Sequence, residues 1–366
     1  LALVIGSRLS PEALKKRISA IRNLSGDFPF EAFLQRLETF SGTREDIESI
    51  FKNDPGLPLH IIEKAFEKRA KNRVLLPDKI SQVFNEVTQE RINCMPATLL
   101  DEEVCGVKWV SVFPPNSEKQ LLNVTGVILL SSLKTGYPLA MIDGTYITAV
   151  RTAALGAIAA KYLSRKESSV IGFIGAGEQA RMHFKMITQV RRIKECYVAS
   201  KDEASENAFI EQLHDDYPDV TFVLCNCDYG KAAERADIIV TAVSCQQPLL
   251  KAQYVKPGAT YIHVGGWEDE YAVAQMAAKI VCDEWQSVKH RSQTLSRMYY
   301  DGLLTDGDIY ADIGEIISGK KAGRENDDEF IYFNSVGLAF IDMMFAYEVY
   351  KFSQENAMGT RYCIQG

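Results

Sequence analysis

The chain has 366 residues, 46% hydrophobic and 24% charged, which is long enough for two domains with buried cores. Its net charge of −7 argues against nucleic acid and favours a small-molecule partner, and its eight Cys and five His are too scattered for a disulfide framework or a metal site. The first six residues are too short for a signal peptide and no apolar run approaches the roughly 20 residues that span a bilayer, so we expect a cytoplasmic protein without membrane contact.

The first part of the chain predicts a mixed domain. Residues 10–12, Ser-Pro-Glu, have the composition of a helix start. Strands are predicted at 106–113, 127–130 and 138–142. The last two are expected to be antiparallel, because a turn-prone segment joins them. An Ala-rich helix at 147–163 then leads into the next unit.

Residues 168–182 run from an apolar strand through a glycine-rich turn into a helix, which is how proteins hold a dinucleotide. Gly175 allows the tight turn, and Gly177 lets the backbone approach a pyrophosphate. Ala180 lets the helix pack closely on its strand, and Gln179 lies in the helix's first turn. We expect these four residues to bind the cofactor, with its phosphates at the helix N-terminus.

Short β-branched runs alternate with helical patterns after this turn, which predicts a parallel sheet with helices on both faces. Ligands of such sheets bind at the carboxyl ends of the strands. The further cofactor contacts are therefore expected at two strand ends, namely Thr241, Ala242 and Val243, and Val264 and Gly265.

The end of the second strand of this sheet selects between the two nicotinamide cofactors, because a carboxylate there would repel a 2′-phosphate. Here the strand runs into Ser200 and Lys201, a hydroxyl and a cation, although Asp202 and Glu203 follow. We therefore favour NADP over NAD. The alternative is that Lys201 is solvated and the pocket accepts either cofactor.

The pattern changes again after about residue 310, where segments 313–317 and 328–335 precede a long amphipathic helix at 337–355. We expect this part to return to the first domain. The predicted fold is α/β: a Rossmann-type doubly wound parallel sheet at 151–310, inserted in an α+β substrate-binding and dimerisation domain formed by 1–150 and 311–366.

Four blocks in a fixed order resemble the ornithine cyclodeaminase and mu-crystallin family, and the resemblance runs from about residue 46 to residue 361. The first two blocks are Met-Ile-Asp-Gly-Thr with Thr-Ala-Val-Arg-Thr-Ala-Ala, and Ala-Asp-Ile-Ile-Val-Thr-Ala; they begin at residues 141, 148 and 236. The others are Val-Gly-Gly at 264–266, and Gly-Arg at 323–324 with Asn-Ser-Val-Gly at 334–337.

The resemblance implies a two-domain homodimer that binds an α-amino or α-imino acid beside a nicotinamide and passes a hydride between them. It assigns the substrate carboxylate to Lys108 and Arg151, whose cationic groups suit that role. Lys79 stands where many family members carry arginine and is a third candidate. Thr152 and Arg151 are candidate contacts of the cofactor. The alternative roles are structural ion pairing for the cations and helix packing for Thr152.

The proton of the substrate nitrogen requires a group close to the nicotinamide. Cyclodeaminases carry an aspartate directly after the Gly-Gly pair, but this chain has Trp267 there. Glu268 is the first candidate and Asp269 the second, with Lys108 also placed among the catalytic residues. The departure weakens a cyclodeaminase assignment.

Lys79, the Gly-Val-Lys-Trp at 106–109, Asp-Glu-Trp at 283–285 and the acidic run at 323–329 are similar to the dehydrogenase branch of staphyloferrin-type siderophore pathways. That branch splits N-(2-amino-2-carboxyethyl)-glutamate into 2,3-diaminopropionate and 2-oxoglutarate. The sequence therefore predicts an amino-acid or imine dehydrogenase. A cyclodeaminase lyase that recycles its cofactor, and a mu-crystallin-like NADP-binding protein or ketimine reductase, remain the alternatives.

Overall fold

The computed structural model describes residues 38–363 and, among these, the side chains of residues 39–360. The helix start predicted at residues 10–12 lies outside the described residues. Within the described range, the chain forms two eight-stranded sheets and one two-stranded sheet. No helix of this range is both long and apolar enough to cross a membrane.

The first sheet is mixed. Its strands are β1 (Glu38–Gly42), β2 (Val74–Leu75), β3 (Ile80–Asn85), β4 (Glu90–Leu99), β5 (Val104–Val112), β6 (Val124–Ser132), β7 (Pro138–Asp143) and β18 (Thr360–Cys363). They lie in the order β18-β1-β7-β6-β5-β4-β2, and β3 also pairs with β4. β1 and β7 are parallel, whereas β4, β5, β6 and β7 are successively antiparallel. The three strands predicted in this domain are present as β5, β6 and β7.

Four helices accompany this sheet: α1 (Arg44–Asn53), α2 (Leu57–Ala70), α3 (Gly144–Leu163) and α11 (Ala339–Asn356). α11 packs on one face of β4, β5 and β6. Asp143 caps α3 by accepting a hydrogen bond from the Tyr146 amide at 2.8 Å. The alanines of α3 allow close packing, and this buried helix connects the mixed sheet to the second sheet.

The second sheet is entirely parallel. Its strands are β8 (Val170–Ile174), β9 (Glu195–Ala199), β10 (Thr221–Leu224), β11 (Ile238–Thr241), β13 (Thr260–His263), β15 (Lys279–Cys282), β16 (Ala311–Asp312) and β17 (Ile331–Asn334). They lie in the order β10-β9-β8-β11-β13-β17-β15-β16. The strand order reverses between β8 and β11, where a doubly wound sheet binds its ligand.

Shorter elements complete the unit. The helices are α4 (Glu178–Ile187), α5 (Glu203–Glu211), α6 (Tyr229–Ala233), α7 (Tyr271–Gln275), α8 (Trp285–Val288), α9 (Thr294–Tyr300) and α10 (Ile313–Ile317), and the 3₁₀ helices are Pro114–Lys119, Ala252–Tyr254 and Asp306–Asp308. β12 (Gln246–Leu250) and β14 (Trp267–Asp269) form a separate parallel pair.

The parallel sheet extends beyond the boundary predicted at residue 310. β16 pairs with β15, and β17 lies between β13 and β15. Segment 328–335 therefore does not return to the first domain as predicted, because residues 331–334 form β17 in the middle of the parallel sheet. Segment 313–317 forms α10, which packs against α2 of the first domain.

Candidate active site

The glycine turn after β8 has the geometry that a dinucleotide requires. Gly175 has a φ of 108°, and a β-carbon added to it would lie 2.6 Å from the carbonyl oxygen of Ala242. A β-carbon added to Gly177 would meet nothing within 4 Å. Ala180, in the first turn of α4, is fully buried. The turn is thus closed on its protein side and open where phosphates would lie.

The N-terminus of α4 has free donors. Its N-cap, Gly177, supplies no side-chain hydrogen bond, so the first backbone N–H groups of the helix are available to an anion. The side-chain oxygen of Gln179 is buried without a partner and lies in the wall of the neighbouring cavity. The free N–H groups of α4 fit a bound pyrophosphate. The Gln179 oxygen can only accept a hydrogen bond, so it suits a donor group of the ligand.

The end of β9 turns its nearest carboxylates toward the protein. Asp202 caps α5 by accepting from the Ser205 amide at 2.7 Å. Glu206 is fully buried and accepts from the Ser200 amide at 3.0 Å and from two amides of the loop after β10. Ser200 is buried and Lys201 is exposed. The predicted hydroxyl and cation therefore stand at this strand end, where the carboxylates of Asp202 and Glu206 are engaged by backbone amides.

Glu268, the first predicted proton carrier, supports the cofactor loops. It is fully buried, and its Oε1 accepts from the Val243 amide at 2.6 Å. Its Oε2 accepts from the Thr241 hydroxyl at 2.6 Å and the Gly265 amide at 2.9 Å. One carboxylate thus ties the end of β11 to the end of β13.

Asp269 points to the other side, because successive residues of a strand face opposite directions. It accepts from Thr294 at 2.6 Å, from Tyr332 at 3.0 Å and from Tyr261 at 3.3 Å. Burial raises the pKa of Asp269 to about 6. Neither Asp269 nor Glu268 is among the residues that line the neighbouring cavity, and both carboxylates are held by donors of the protein.

A buried amide network holds the remaining loops. His263 Nδ1 lies 2.6 Å from Asn334 Oδ1, and the Asn334 amide donates to Gln293 at 2.8 Å. Gln293 in turn donates to the carbonyl oxygens of Gly265 at 2.6 Å and Ser335 at 3.0 Å. The network fixes the ends of β13 and β17 together.

A cavity of about 700 Å³ opens where the two sheets meet. Its cofactor side consists of strand ends and α4, represented by Ala242, Val243, Val264, Gly265 and Gln179. Its other side is rich in cations and includes Lys79 near β3, Arg91 on β4, and His290, Arg291 and Arg297 around α9. A ligand in this cavity would contact both units of the fold.

Lys108 and Arg151 meet on a shared carboxylate, and neither of them is among the residues that line this cavity. Lys108 Nζ donates to Asp342 Oδ1 at 2.7 Å, and Arg151 Nε donates to the same oxygen at 2.9 Å. Lys108 also donates to the Thr148 hydroxyl at 3.2 Å, which leaves one ammonium N–H unused. Burial, together with the charge of Arg151, lowers the pKa of Lys108 to about 7.

Arg151 directs its terminal amino groups toward Gly337, the neighbour of Val336 in the cavity wall. Neither terminal group has a hydrogen-bond partner among residues 39–360. The hydroxyl of Thr152, a predicted cofactor contact, donates to the Thr148 carbonyl at 2.7 Å within α3. Arg151 thus has free donors next to the cavity, whereas Thr152 uses its proton inside the helix.

Lys79 lies in the cavity wall and is influenced by the charges of Lys108 and Arg151 as well as by those of the wall. It is half-buried, and burial lowers its pKa well below the usual range, assisted by the charges of Arg291, Arg91, Lys108 and Arg151. All three predicted carboxylate-binding residues therefore belong to one cationic region.

The sequence analysis did not identify Arg91, Arg291 or Asp342. Arg91 and Arg291 are 200 positions apart and belong to no motif. Asp342 carried one signal, because it is a single acid within the apolar stretch from Ala339 to Ala346 of α11. A lone carboxylate in a buried helix indicates a buried cation as its partner.

Comparisons with known proteins agree with this architecture. The sequence profile of the Ornithine cyclodeaminase/mu-crystallin family matches residues 41–357. The alanine dehydrogenase of Archaeoglobus fulgidus is 33% identical over 329 residues, covering 89% of this chain and 98% of that protein. The N-((2S)-2-amino-2-carboxyethyl)-L-glutamate dehydrogenase of Staphylococcus aureus is 26% identical, covering 87% of this chain and 96% of that protein.

Two solved structures share the whole fold. The Thermococcus litoralis Delta(1)-pyrroline-2-carboxylate reductase, in complex with NADH and L-proline, superimposes with a TM-score of 0.84 at 31% identity, covering 88% of this chain and 99% of that chain. An archaeal alanine dehydrogenase dimer with bound NAD superimposes with a TM-score of 0.82 at 32% identity, covering 90% of this chain and 100% of that chain.

Proposed function

The chain belongs to the ornithine cyclodeaminase/mu-crystallin family, and from that premise we propose that it is a nicotinamide-dependent oxidoreductase acting on the carbon–nitrogen bond of an amino acid or an imine. One observation carries the proposal: a single cavity is lined by the strand ends of the dinucleotide unit and by cations of the mixed sheet. This arrangement suits a substrate carboxylate held beside a nicotinamide.

The residues in and near the cavity then have separate roles in binding and proton transfer. Arg151 binds the α-carboxylate through its two free terminal groups, and Asp342 fixes its orientation. A nicotinamide held at the ends of β11 and β13 would supply the hydride donor or acceptor for the α-carbon of the substrate. Lys108 exchanges the proton of the substrate nitrogen, since a pKa of about 7 allows it to give or take a proton near neutral pH. We assign the proton-handling role to Lys108 ahead of Glu268 and Asp269, because both carboxylates already accept hydrogen bonds from the protein.

The favoured substrate is an amino-acid conjugate of the opine type, with formation of 2,3-diaminopropionate as the specific candidate. The Staphylococcus aureus relative is named as a dehydrogenase of such a conjugate, N-((2S)-2-amino-2-carboxyethyl)-L-glutamate. The cation-rich cavity supports this choice, because such a conjugate carries several carboxylates. The lyase and the mu-crystallin-like binding protein are the competing functions, and the loss of the aspartate at Trp267 weighs against the lyase.

We favour NADP as the cofactor. The support is the position of Ser200 and Lys201 at the end of β9, together with the orientation of Asp202 into its own helix cap. The two solved relatives contain NADH and NAD, so the chain's preference for NADP requires its own measurement.

We also propose a homodimer. Lys108 faces α11, so its strand neighbour Trp109 faces the opposite side of the sheet, where it is 44% exposed. Val127 is its register partner on β6 and is 37% exposed. This apolar sheet face suits a second copy, and the archaeal relative is a dimer. Analytical ultracentrifugation of Trp109→Lys should detect monomers if this face is the interface.

The principal experiment is to mix the purified protein with NAD or NADP and one of four substrates: alanine, proline, ornithine or N-(2-amino-2-carboxyethyl)-glutamate. Reduced nicotinamide is followed by its near-ultraviolet absorbance, and ammonia by a separate assay. Net reduction establishes the dehydrogenase and identifies its substrate. Ammonia release from ornithine without net reduction would instead establish the lyase. Cofactor binding without any turnover would favour the binding protein.

A further inference from the structure

We propose that Arg91 and Arg291 form a second anion subsite in the cavity, which binds a carboxylate of the substrate other than the α-carboxylate. The inference rests on the proposed function and extends it to the substrate class. The ligand would be a 2-amino or 2-imino acid that carries at least one further carboxylate on its side chain or on its nitrogen substituent.

The two guanidinium groups reach the cavity from different parts of the fold. Arg91 is near the start of β4, and Arg291 is in the segment that precedes α9. Both are half-buried and both line the cavity. Their convergence joins the mixed sheet to the dinucleotide unit, so a ligand held there would contact both.

Neither arginine has a counter-ion. Among the residues with described side chains, no carboxylate forms an ion pair with Arg91 or Arg291. Arg91 donates to the carbonyl oxygen of Gln89 at 2.9 Å, while Nε of Arg291 is buried without a partner. A buried guanidinium donor without an acceptor is costly, and a ligand carboxylate would satisfy it.

A structural arginine in the same chain looks different. Arg324 donates to four backbone carbonyl oxygens and to one hydroxyl group. That side chain has no donor left for a ligand. The contrast indicates that Arg291 is held for a partner outside the protein.

The charges around the subsite also favour an anion. Burial lowers the pKa of Arg91, and the positive charge of Arg291 lowers it further. Burial also lowers the pKa of Lys79, and the charges of both arginines add to that effect. Asp283 is near Arg291, but its carboxylate already accepts from the Val336 and Gly337 amides at 2.8 Å each. The other nearby acids are Asp78 and Glu86, of which Glu86 also lines the cavity; both are exposed, and neither forms an ion pair with either arginine among the residues with described side chains. A bound anion would therefore relieve the repulsion among Arg91, Arg291 and Lys79.

This subsite differs from the deeper one because Lys108 and Arg151 share Asp342 as a counter-ion. Lys79 lines the same cavity as Arg91 and Arg291. The α-carboxylate would then bind at the deep pair, and the second carboxylate at the Arg91–Arg291 pair.

The test uses two 2-oxo acids that differ by one carboxylate arm. The affinities of 2-oxoglutarate and pyruvate are measured by isothermal titration calorimetry on the cofactor-saturated protein, with Arg91→Gln, Arg291→Gln and Arg291→Lys as variants. Lys251→Gln is the control, because Lys251 is an exposed cation outside the cavity wall. Thermal melting of each variant confirms that it is folded.

Wild type should bind 2-oxoglutarate at least about tenfold more tightly than pyruvate, as expected for one added charge-assisted pair. Either Gln variant should abolish this difference without weakening pyruvate, Arg291→Lys should retain part of it, and Lys251→Gln all of it. Equal affinities in wild type, or an advantage that survives both Gln variants, would overturn the subsite.

The binding assay requires no turnover, so the two proposals can fail separately. A lost 2-oxoglutarate advantage in the Gln variants, in a protein that turns over no amino acid, would support the subsite and reject the oxidoreductase. Turnover of amino acids with equal affinities for the two oxo acids would reject the subsite alone.

Discussion

Arg151 occupies the space that a side chain at Gly337 would need: a β-carbon added there would lie 2.5 Å from Arg151 Nη1. Gly337 also has a φ of 78°, a conformation that L-residues rarely adopt. The glycine therefore determines where the guanidinium beside the cavity can lie. This relationship connects a loop residue without a functional group to the binding of the substrate carboxylate.

Gly337→Ala should displace Arg151 and raise KM for the amino-acid substrate by about tenfold or more, because a charge-assisted carboxylate contact is lost. Backbone strain alone should cost about 1 kcal/mol. The matched control is Gly319→Ala, with a φ of 71° and nothing within 4 Å of the added carbon. Steady-state kinetics on both should show a raised KM in Gly337→Ala alone; equal KM values would disconnect Arg151 from substrate binding.

Asp342→Asn should shift the pH dependence of catalysis. The carboxylate of Asp342 raises the pKa of Lys108, against burial and Arg151, which hold it near 7. Its loss should lower the pKa further. Amine oxidation needs neutral Lys108 and should increase through about pH 7 in wild type, whereas imine reduction needs the ammonium and should decrease there.

In Asp342→Asn both midpoints should move to lower pH, measured as kcat/KM profiles in the two directions. Thermal melting should also detect destabilisation, since breaking a buried ion pair costs about 3 kcal/mol. Unmoved midpoints would remove Lys108 from proton transfer.

Glu268→Gln tests whether Glu268 holds the cofactor-binding loops in place or transfers a proton in catalysis. A glutamine cannot accept all three hydrogen bonds of Glu268, because its amide group would face a backbone N–H. We expect a lower Tm and roughly tenfold weaker cofactor binding, with kcat at saturating cofactor changed only a few-fold. A fall in kcat of about 100-fold or more, with normal Tm and cofactor affinity, would restore Glu268 as the general acid–base.

The two glycines of the cofactor turn should respond differently to alanine. At Gly177 the methyl group enters empty space, so Tm without cofactor should stay unchanged while the cofactor Kd rises about tenfold or more. At Gly175 the methyl group would lie 2.6 Å from a backbone carbonyl oxygen, so the variant should lose stability even without cofactor. Thermal melting and fluorescence titration measure both. An unchanged cofactor Kd in Gly177→Ala would show that the cofactor phosphates do not lie against the backbone of Gly177.

Ser200→Asp should reverse the cofactor preference. A carboxylate at the end of β9 repels a 2′-phosphate and accepts from a ribose hydroxyl, so NADP affinity should fall about tenfold or more while NAD binding is kept. Asn207→Asp adds the same charge at an exposed position of α5 and serves as the control. Wild type that binds both cofactors equally would instead show that Lys201 is simply solvated.

The local pattern of the sequence determined the dinucleotide unit. A tight turn requires a glycine such as Gly175, and alternating apolar runs and helical patterns require a parallel sheet. The β-branched runs after the glycine turn do form parallel strands, such as β9 and β15. The resemblance directed attention to Lys108 and Arg151, because their motifs are contiguous in the chain.

Only the tertiary structure decided where the side chains point and which residues they contact. Glu268 and Asp269 stand beside the glycine pair in sequence, yet strand alternation sends one under the cofactor loops and the other into the core. Arg91 and Arg291 face one cavity only because the two units pack together. Such contacts depend on register and long-range packing, which no local pattern of residues encodes.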